Sequence, residues 1–168
     1  MIFFETARLI LRQAKQNDAH IMYDYRNHEI CSRYQRGQSK RLEEIESLIE
    51  SHQTDSLSDT GNCLIAVALK ETGEMVGEII VMPNDGCFSL GYTFSYRHHR
   101  KGYAFEALSA LINSLHDTYP SMEFICFTEP ENTASIGLLK KLGYTDYGYA
   151  PQITSNVFGK WVINDPLK

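Results

Sequence analysis

The chain has 168 residues, 43% of them hydrophobic and 22% charged, which is enough apolar material for one core and too few charges for a disordered chain. Its net charge of −5 argues against general nucleic-acid binding by phosphate neutralisation and is compatible with a cationic partner such as an amine. The cysteines Cys31, Cys63, Cys87 and Cys126 have no CxxC spacing, so no redox motif and no metal site is expected.

Cysteines used in this way suit a reducing, cytoplasmic setting. Met1 to Arg12 has no positive segment followed by an apolar one, so no signal peptide is expected there. No apolar run approaches the ~20 residues that cross a bilayer, so no membrane partner is expected either.

The first predicted element is a strand, Arg8 to Arg12. A helix follows, with Asn17 or Asp18 as its N-cap. Ser39 opens a second helix, along which Leu42, Ile45, Leu48 and Ile49 recur at helical spacing. The polar stretch from Thr54 to Asn62 is a loop. Three strands come next. Cys63 to Lys70 ends at the turn Glu71-Thr72-Gly73-Glu74, and Met75 to Met82 is closed by Pro83-Asn84-Asp85-Gly86. The Asp-Gly pair signals a hairpin into the third strand, Cys87 to Phe94, and the three strands predict an antiparallel meander.

At Gly102 the period changes. Ala104, Ala107, Leu108, Leu111, Ile112 and Leu115 fall on one helical face, and Pro120 lies just past the end of that helix. Phe124 to Thr128 reads as a short buried strand. A helix from Thr133 to Leu142 stops at Gly143 as the C′ residue. Tyr144 to Tyr149 and Val157 to Ile163 close the chain as strands. A strand, a helix and a strand between residues 87 and 128 imply a parallel pair with a crossover helix. The expected fold is α/β: one domain, 1–168, with a mixed, mostly antiparallel sheet, helices on both faces and a central parallel strand pair.

Two segments carry chemistry. In Arg97-His98-His99-Arg100-Lys101-Gly102-Tyr103-Ala104, five consecutive residues that can be cationic precede a glycine and a helix start. Gly102 permits a tight turn and a close ligand approach. The helix start offers unpaired N–H groups and the positive end of the dipole. Such a segment is either an anion site suited to a pyrophosphate or a solvated basic turn. In Glu131-Asn132-Thr133-Ala134-Ser135, Asn132 is a good N-cap. Ser135 shares a face with Leu138, Leu139 and Leu142, so its hydroxyl needs a partner: a ligand, another side chain, or its own helix backbone.

These segments resemble the acetyl-CoA motifs of the GNAT superfamily, and more narrowly the branch containing RimJ and RimL. The pyrophosphate loop Q/R-x-x-G-x-G/A is matched by His99-Arg100-Lys101-Gly102-Tyr103-Ala104. The branch pattern G-K-G-Y-A-x-E-A is matched from Arg100 to Ala107. N-x-x-S followed by K-x-G-[FY] is matched by Asn132, Ser135 and Lys141-Leu142-Gly143-Tyr144. The opening T-x-R-L-x-L-R corresponds to Thr6 to Arg12, and a late G-x-W to Gly159-Lys160-Trp161.

The resemblance implies an acyltransferase in which an amine attacks the thioester of acetyl-CoA directly. It implies a cofactor site at Tyr92, Phe94, His99, Arg100, Lys101, Gly102, Tyr103, Ala104, Asn132 and Ser135. Ser135 is the implied donor to the departing thiolate. The acceptor is a peptide N-terminus or a small-molecule amine, and a homodimer is left open. A non-catalytic acyl-CoA-binding or sensing module is the alternative.

The chain also departs from the family. His99 stands where Gln or Arg is usual, which a cradle of backbone N–H groups tolerates. Ser89-Leu90-Gly91-Tyr92 lacks the Glu that the branch carries before its Gly-Tyr. The Glu and Tyr of the RimI-like branch are replaced by Phe127 and Leu139. Glu78 and Glu129 are then the candidate bases, with a surface role or a water chain as the alternatives. Glu106 is expected to favour the helix dipole. Tyr23, Tyr25, Tyr34 and Trp161 are expected mainly in the core, with the resemblance implying that some of them line the acceptor pocket beside the first two helices and the last hairpin.

Overall fold

A computed structural model describes residues 1–160. Trp161 and the outer part of the expected Val157 to Ile163 strand lie outside the described residues. Eight strands form one sheet: β1 (Ile2–Glu5), β2 (Leu9–Gln13), β3 (Cys63–Leu69), β4 (Met75–Asn84), β5 (Cys87–Phe94), β6 (Glu123–Thr128), β7 (Thr145–Ala150) and β8 (Ser155–Lys160). Their order across the sheet is β1-β2-β3-β4-β5-β6-β8-β7. Every pairing is antiparallel except β5 with β6, which is the expected parallel pair. The helices are α1 (Ala19–Asn27), α2 (Glu29–Ser32), α3 (Leu42–Ser51), α4 (Tyr103–Thr118) and α5 (Thr133–Lys141).

The helices cover both faces of the sheet. On one face α4 lays down Ala107, Leu108, Leu111, Ile112 and Leu115, all buried, against Leu9, Leu11, Ile65, Ile79 and Phe88. This is the face its sequence period announces. On the other face Ala19, Met22 and Tyr25 of α1 and Ile45 and Ile49 of α3 pack on Leu64, Ala66 and Met75. Burying one such large aliphatic or aromatic side chain is worth about 1.5–3 kcal/mol, so these two layers hold the sheet from both sides.

Several local expectations are corrected. β1 precedes the expected first strand and pairs with β2 at the edge of the sheet. Ser39 does not open α3. Its carbonyl accepts from Arg26 Nη1 at 3.1 Å, and the helix starts two residues past Lys40, after Arg41. The four-residue α2 is too short to show a period. Pro83 is a strand residue opposite Phe88, not a turn residue. β3 reaches only Val81, so the missing N–H of Pro83 costs no ladder bond on that side. The turn itself falls at Asp85-Gly86, with Gly86 at φ 77°.

Candidate active site

The site grows out of a short pairing. β5 and β6 are in register only at Cys87 with Glu123, Phe88 with Phe124 and Ser89 with Ile125. Beyond that point β5 continues along β4, β6 continues along β8, and the two strands part. A cavity of about 380 Å³ fills the gap, walled by Leu90, Gly91 and Tyr92 on one side and Phe127, Thr128 and Glu129 on the other. Asn132 and Ser135 at the α5 start and the segment Tyr34-Gln35-Arg36 also line it.

The basic segment lies past the end of β5, where the chain turns into α4. Phe94, the last strand residue, is buried over Gly77. A Cβ on Gly77 would meet the Phe94 ring at 2.6 Å, so only glycine admits this packing. The Phe94 carbonyl takes Cys31 Sγ at 3.3 Å and His99 Nε2 at 2.8 Å. The His99 ring is thereby folded back onto the strand end, which leaves backbone rather than imidazole to define the loop. Arg100 and Gly102 both have left-handed backbones, at φ 60° and φ 78°. The Lys101 carbonyl is held by Arg8 Nη1 at 2.9 Å. Tyr103 lies under the Arg8 guanidinium, 4.7 Å from its ring centroid, and Ala104 follows half-buried in the first turn. The first α4 bond runs from the Glu106 N–H to the Gly102 carbonyl, so the N–H groups before it have no partner within the helix.

At the other wall, Ser135 is not bonded to its own helix backbone. Its Oγ lies 2.7 Å from the Tyr92 hydroxyl, and its N–H donates to the Asn132 Oδ1 N-cap at 3.2 Å. Burial pushes the Tyr92 phenol well above its ordinary pKa, with the nearby Cys126 adding to this and the Ser135 bond opposing it. The phenol therefore stays protonated. Glu129 faces the cavity, and Arg36 holds it through Nε at 2.8 Å and through Nη2. Glu78 is neither a surface carboxylate nor a cavity residue. It is 4% exposed, and Arg26 takes both of its oxygens, at 2.9 and 2.8 Å. Gln38 Nε2 adds a bond to it at 3.1 Å.

Residues 8–145 match the model of the acetyltransferase (GNAT) domain family, and this span includes the loop, the N-cap of α5 and Ser135. The chain belongs to the GNAT acetyltransferase family. It is an acyltransferase by that membership. The uncharacterized N-acetyltransferase p20 of Bacillus licheniformis is 27% identical over 147 residues, covering 85% of this chain and 82% of its own length. Among solved structures, RimL, a ribosomal alpha-N-protein acetyltransferase in complex with coenzyme A, superposes with a TM-score of 0.77 at 15% identity. That match covers 96% of this chain and 98% of RimL. The ribosomal-protein-S5-alanine acetyltransferase of Vibrio fischeri superposes with a TM-score of 0.73 at 19% identity, covering 98% of both chains.

Other features of this acetyltransferase were hidden in its sequence. Gln35 and Arg36 lie in an aperiodic polar stretch, and a glycine nearby is its only signal. Yet Gln35 Nε2 donates to the Tyr92 carbonyl at 3.2 Å, and Arg36 Nη1 reaches the Ile153 carbonyl at 3.0 Å. The aromatic set divides. Tyr25 is core, Tyr23 is 44% exposed, and Tyr34 borders the cavity with its hydroxyl on the Glu131 carbonyl at 3.2 Å. Phe127 is exposed on the cavity wall, and Leu139 is buried in the core. His98 turns toward Glu74 at 3.4 Å while His99 turns to Phe94, so the two imidazoles diverge. Among the described residues no helix is long and apolar enough to cross a membrane.

Proposed function

We propose that this acetyltransferase moves an acetyl group from acetyl-CoA to a primary amine, by direct attack of the amine nitrogen on the thioester. The observation that carries the reading is the parting of β5 from β6 beside Ser135, with a glycine-turned basic loop at the start of α4. The gap offers strand backbone to a pantetheine arm. In this reading the N–H groups from His99 to Ala104 take the pyrophosphate, with Arg100 and Lys101 adding positive charge. Tyr92, Phe94 and Asn132 flank the arm, and Ser135 faces the sulfur. RimL, captured with coenzyme A, supports the same use of the fold.

The reaction needs three services. The amine must reach the thioester carbonyl unprotonated, through Glu129 or through water in the cavity. The tetrahedral oxyanion needs a donor, for which N–H groups at the parted end of β5 are suited. The departing sulfur needs a hydrogen bond, which Ser135 supplies. A peptide N-terminus is favoured over a small amine as the acceptor, because RimL, which shares the fold, is an acetyltransferase of a protein α-amine. Four cysteines kept as free thiols fit a cytoplasmic location.

One observation favours the non-catalytic alternative: both candidate bases, Glu78 and Glu129, are held by arginines. A panel of N-terminal peptides and small amines, assayed for free thiol released from acetyl-CoA, decides between the readings. Amine-dependent thiol release is expected. Tight acetyl-CoA binding with no release for any amine would leave a sensing module.

A further inference from the structure

We propose that Tyr92 is a positioning residue whose hydroxyl turns the Ser135 proton toward the thioester sulfur. This rests on the acetyl-transfer reading above and adds to it a residue that acts through Ser135.

The argument is an account of hydrogens. The two oxygens are 2.7 Å apart, the length of a hydroxyl–hydroxyl hydrogen bond, and both residues face the same cavity. Each hydroxyl has one proton, and only one of the two can lie between the oxygens. A phenol is a stronger acid than an aliphatic alcohol, and ring conjugation makes its oxygen the weaker acceptor. The bond therefore runs from Tyr92 to Ser135. Among the described residues Ser135 Oγ is the one acceptor that the Tyr92 hydroxyl has.

That direction leaves the serine proton unspent. Ser135 makes no bond to a carbonyl of its own helix, the usual resting place of a serine proton near a helix start. Its amide is pinned to Asn132, so the side chain swings about one bond from a fixed base. A bond received at Oγ both restricts that swing and polarises the remaining O–H, making it a better donor. Tyr92 is itself held: it pairs with Ile79 across β4 and β5, and its carbonyl carries Gln35.

The chemical step balances without a change of charge on either residue. The nitrogen lone pair forms the C–N bond at the carbonyl carbon. The C–S bond then breaks, and its electron pair goes to sulfur. The proton lost by the amine leaves to water or to Glu129, and solvent returns a proton to the sulfur. Ser135 contributes a hydrogen bond to the sulfur and keeps its proton.

The test uses the full chain and needs no acceptor. Coenzyme A is bound to the wild type, to Tyr92→Phe, to Ser135→Ala and to the double variant. Its thiol is then titrated by the ultraviolet absorbance of the thiolate. A donor at the sulfur favours the thiolate, so the bound thiol should ionise at lower pH in the wild type than in Tyr92→Phe. Ser135→Ala and the double variant should titrate alike. With an acceptor in hand, Tyr92→Phe should lower kcat about five- to tenfold at unchanged acetyl-CoA affinity, and should have no further effect in the Ser135→Ala background. A Tyr92→Phe titration identical to the wild type would overturn the proposal. So would a Tyr92→Phe effect that persists without Ser135, since the phenol would then act on the sulfur itself. If the wild type binds no coenzyme A at all, the acetyl-transfer reading fails before this one is reached.

Discussion

Arg8 and Glu106 close on each other from 98 residues apart: the Arg8 N–H donates to Glu106 Oε1 at 2.8 Å and its Nε to Oε2 at 2.6 Å. The Thr6 hydroxyl adds a bond to Oε1 at 2.6 Å. The opening T-x-R and the E of the loop motif are thus one physical unit, which ties the start of β2 to the first turn of α4. Arg8 also holds the Lys101 carbonyl, so the unit fixes the entry to the helix on which the basic loop turns.

This unit makes stability pH-dependent. Burial works to raise the Glu106 pKa, but the bonds from Thr6 and Arg8 outweigh it and hold the carboxyl below its usual range. A folded pKa below the unfolded value of about 4.3 contributes stability that is present above that pH. It is lost as pH falls through the folded value. Glu106→Gln should therefore lower Tm at neutral pH and flatten the acid limb of a Tm-against-pH curve. An acid limb parallel to the wild type would show that the carboxylate adds nothing.

Gly102→Glu should sharply weaken acetyl-CoA binding. The position is left-handed, where a side chain is strained, and an added Cβ would stand 3.4 Å from Arg8 Nη2 at the loop. Calorimetry on the folded variant, checked by circular dichroism, measures this. Unchanged affinity would remove the loop from the site.

Ser135→Ala should lower kcat with little change in acetyl-CoA affinity, because the proposed bond to sulfur would strengthen as the thiolate departs. Loss of one such bond typically costs about 1–3 kcal/mol, or roughly five- to a hundredfold in rate. Single-turnover kinetics give the comparison. A lowered Tm with normal turnover would mark the serine as structural.

Glu78→Ala should destabilise the protein by about 3–5 kcal/mol, because it leaves the buried Arg26 guanidinium unpaired. Urea unfolding measures this. The joint change Arg26→Met with Glu78→Leu should cost less than Glu78→Ala alone. A fully stable Glu78→Ala that has lost turnover would instead mark Glu78 as the base.

Arg36→Ala should raise the KM for the amine several-fold and leave acetyl-CoA affinity unchanged. Arg36 lines the cavity and bonds to Glu129 and to the Ile153 and Thr154 carbonyls, not to a residue of the basic loop. Initial-rate kinetics with each substrate varied in turn would show it. A rise in the acetyl-CoA KM alone would move Arg36 to the cofactor side.

Whatever depends on neighbours along the chain is legible from residue order alone. The apolar face of α4, the Asn132 N-cap, the stop at Gly143 and the Asp85-Gly86 turn are each set within a few residues by period, capping and φ. The parallel β5–β6 pair also followed, since a strand, a helix and a strand can return only one way. Contacts between residues far apart along the chain arise only once it is folded. A carboxylate carries the same charge buried or exposed, so only the placement of α1 over the sheet gives Glu78 to Arg26. Tyr92 and Ser135 are 43 residues apart, and their hydroxyls meet because β5 parts from β6 at Ser89 and α5 enters the gap at one rotation. Strand register and helix rotation are fixed by the summed packing of the whole core, and no local pattern encodes that sum.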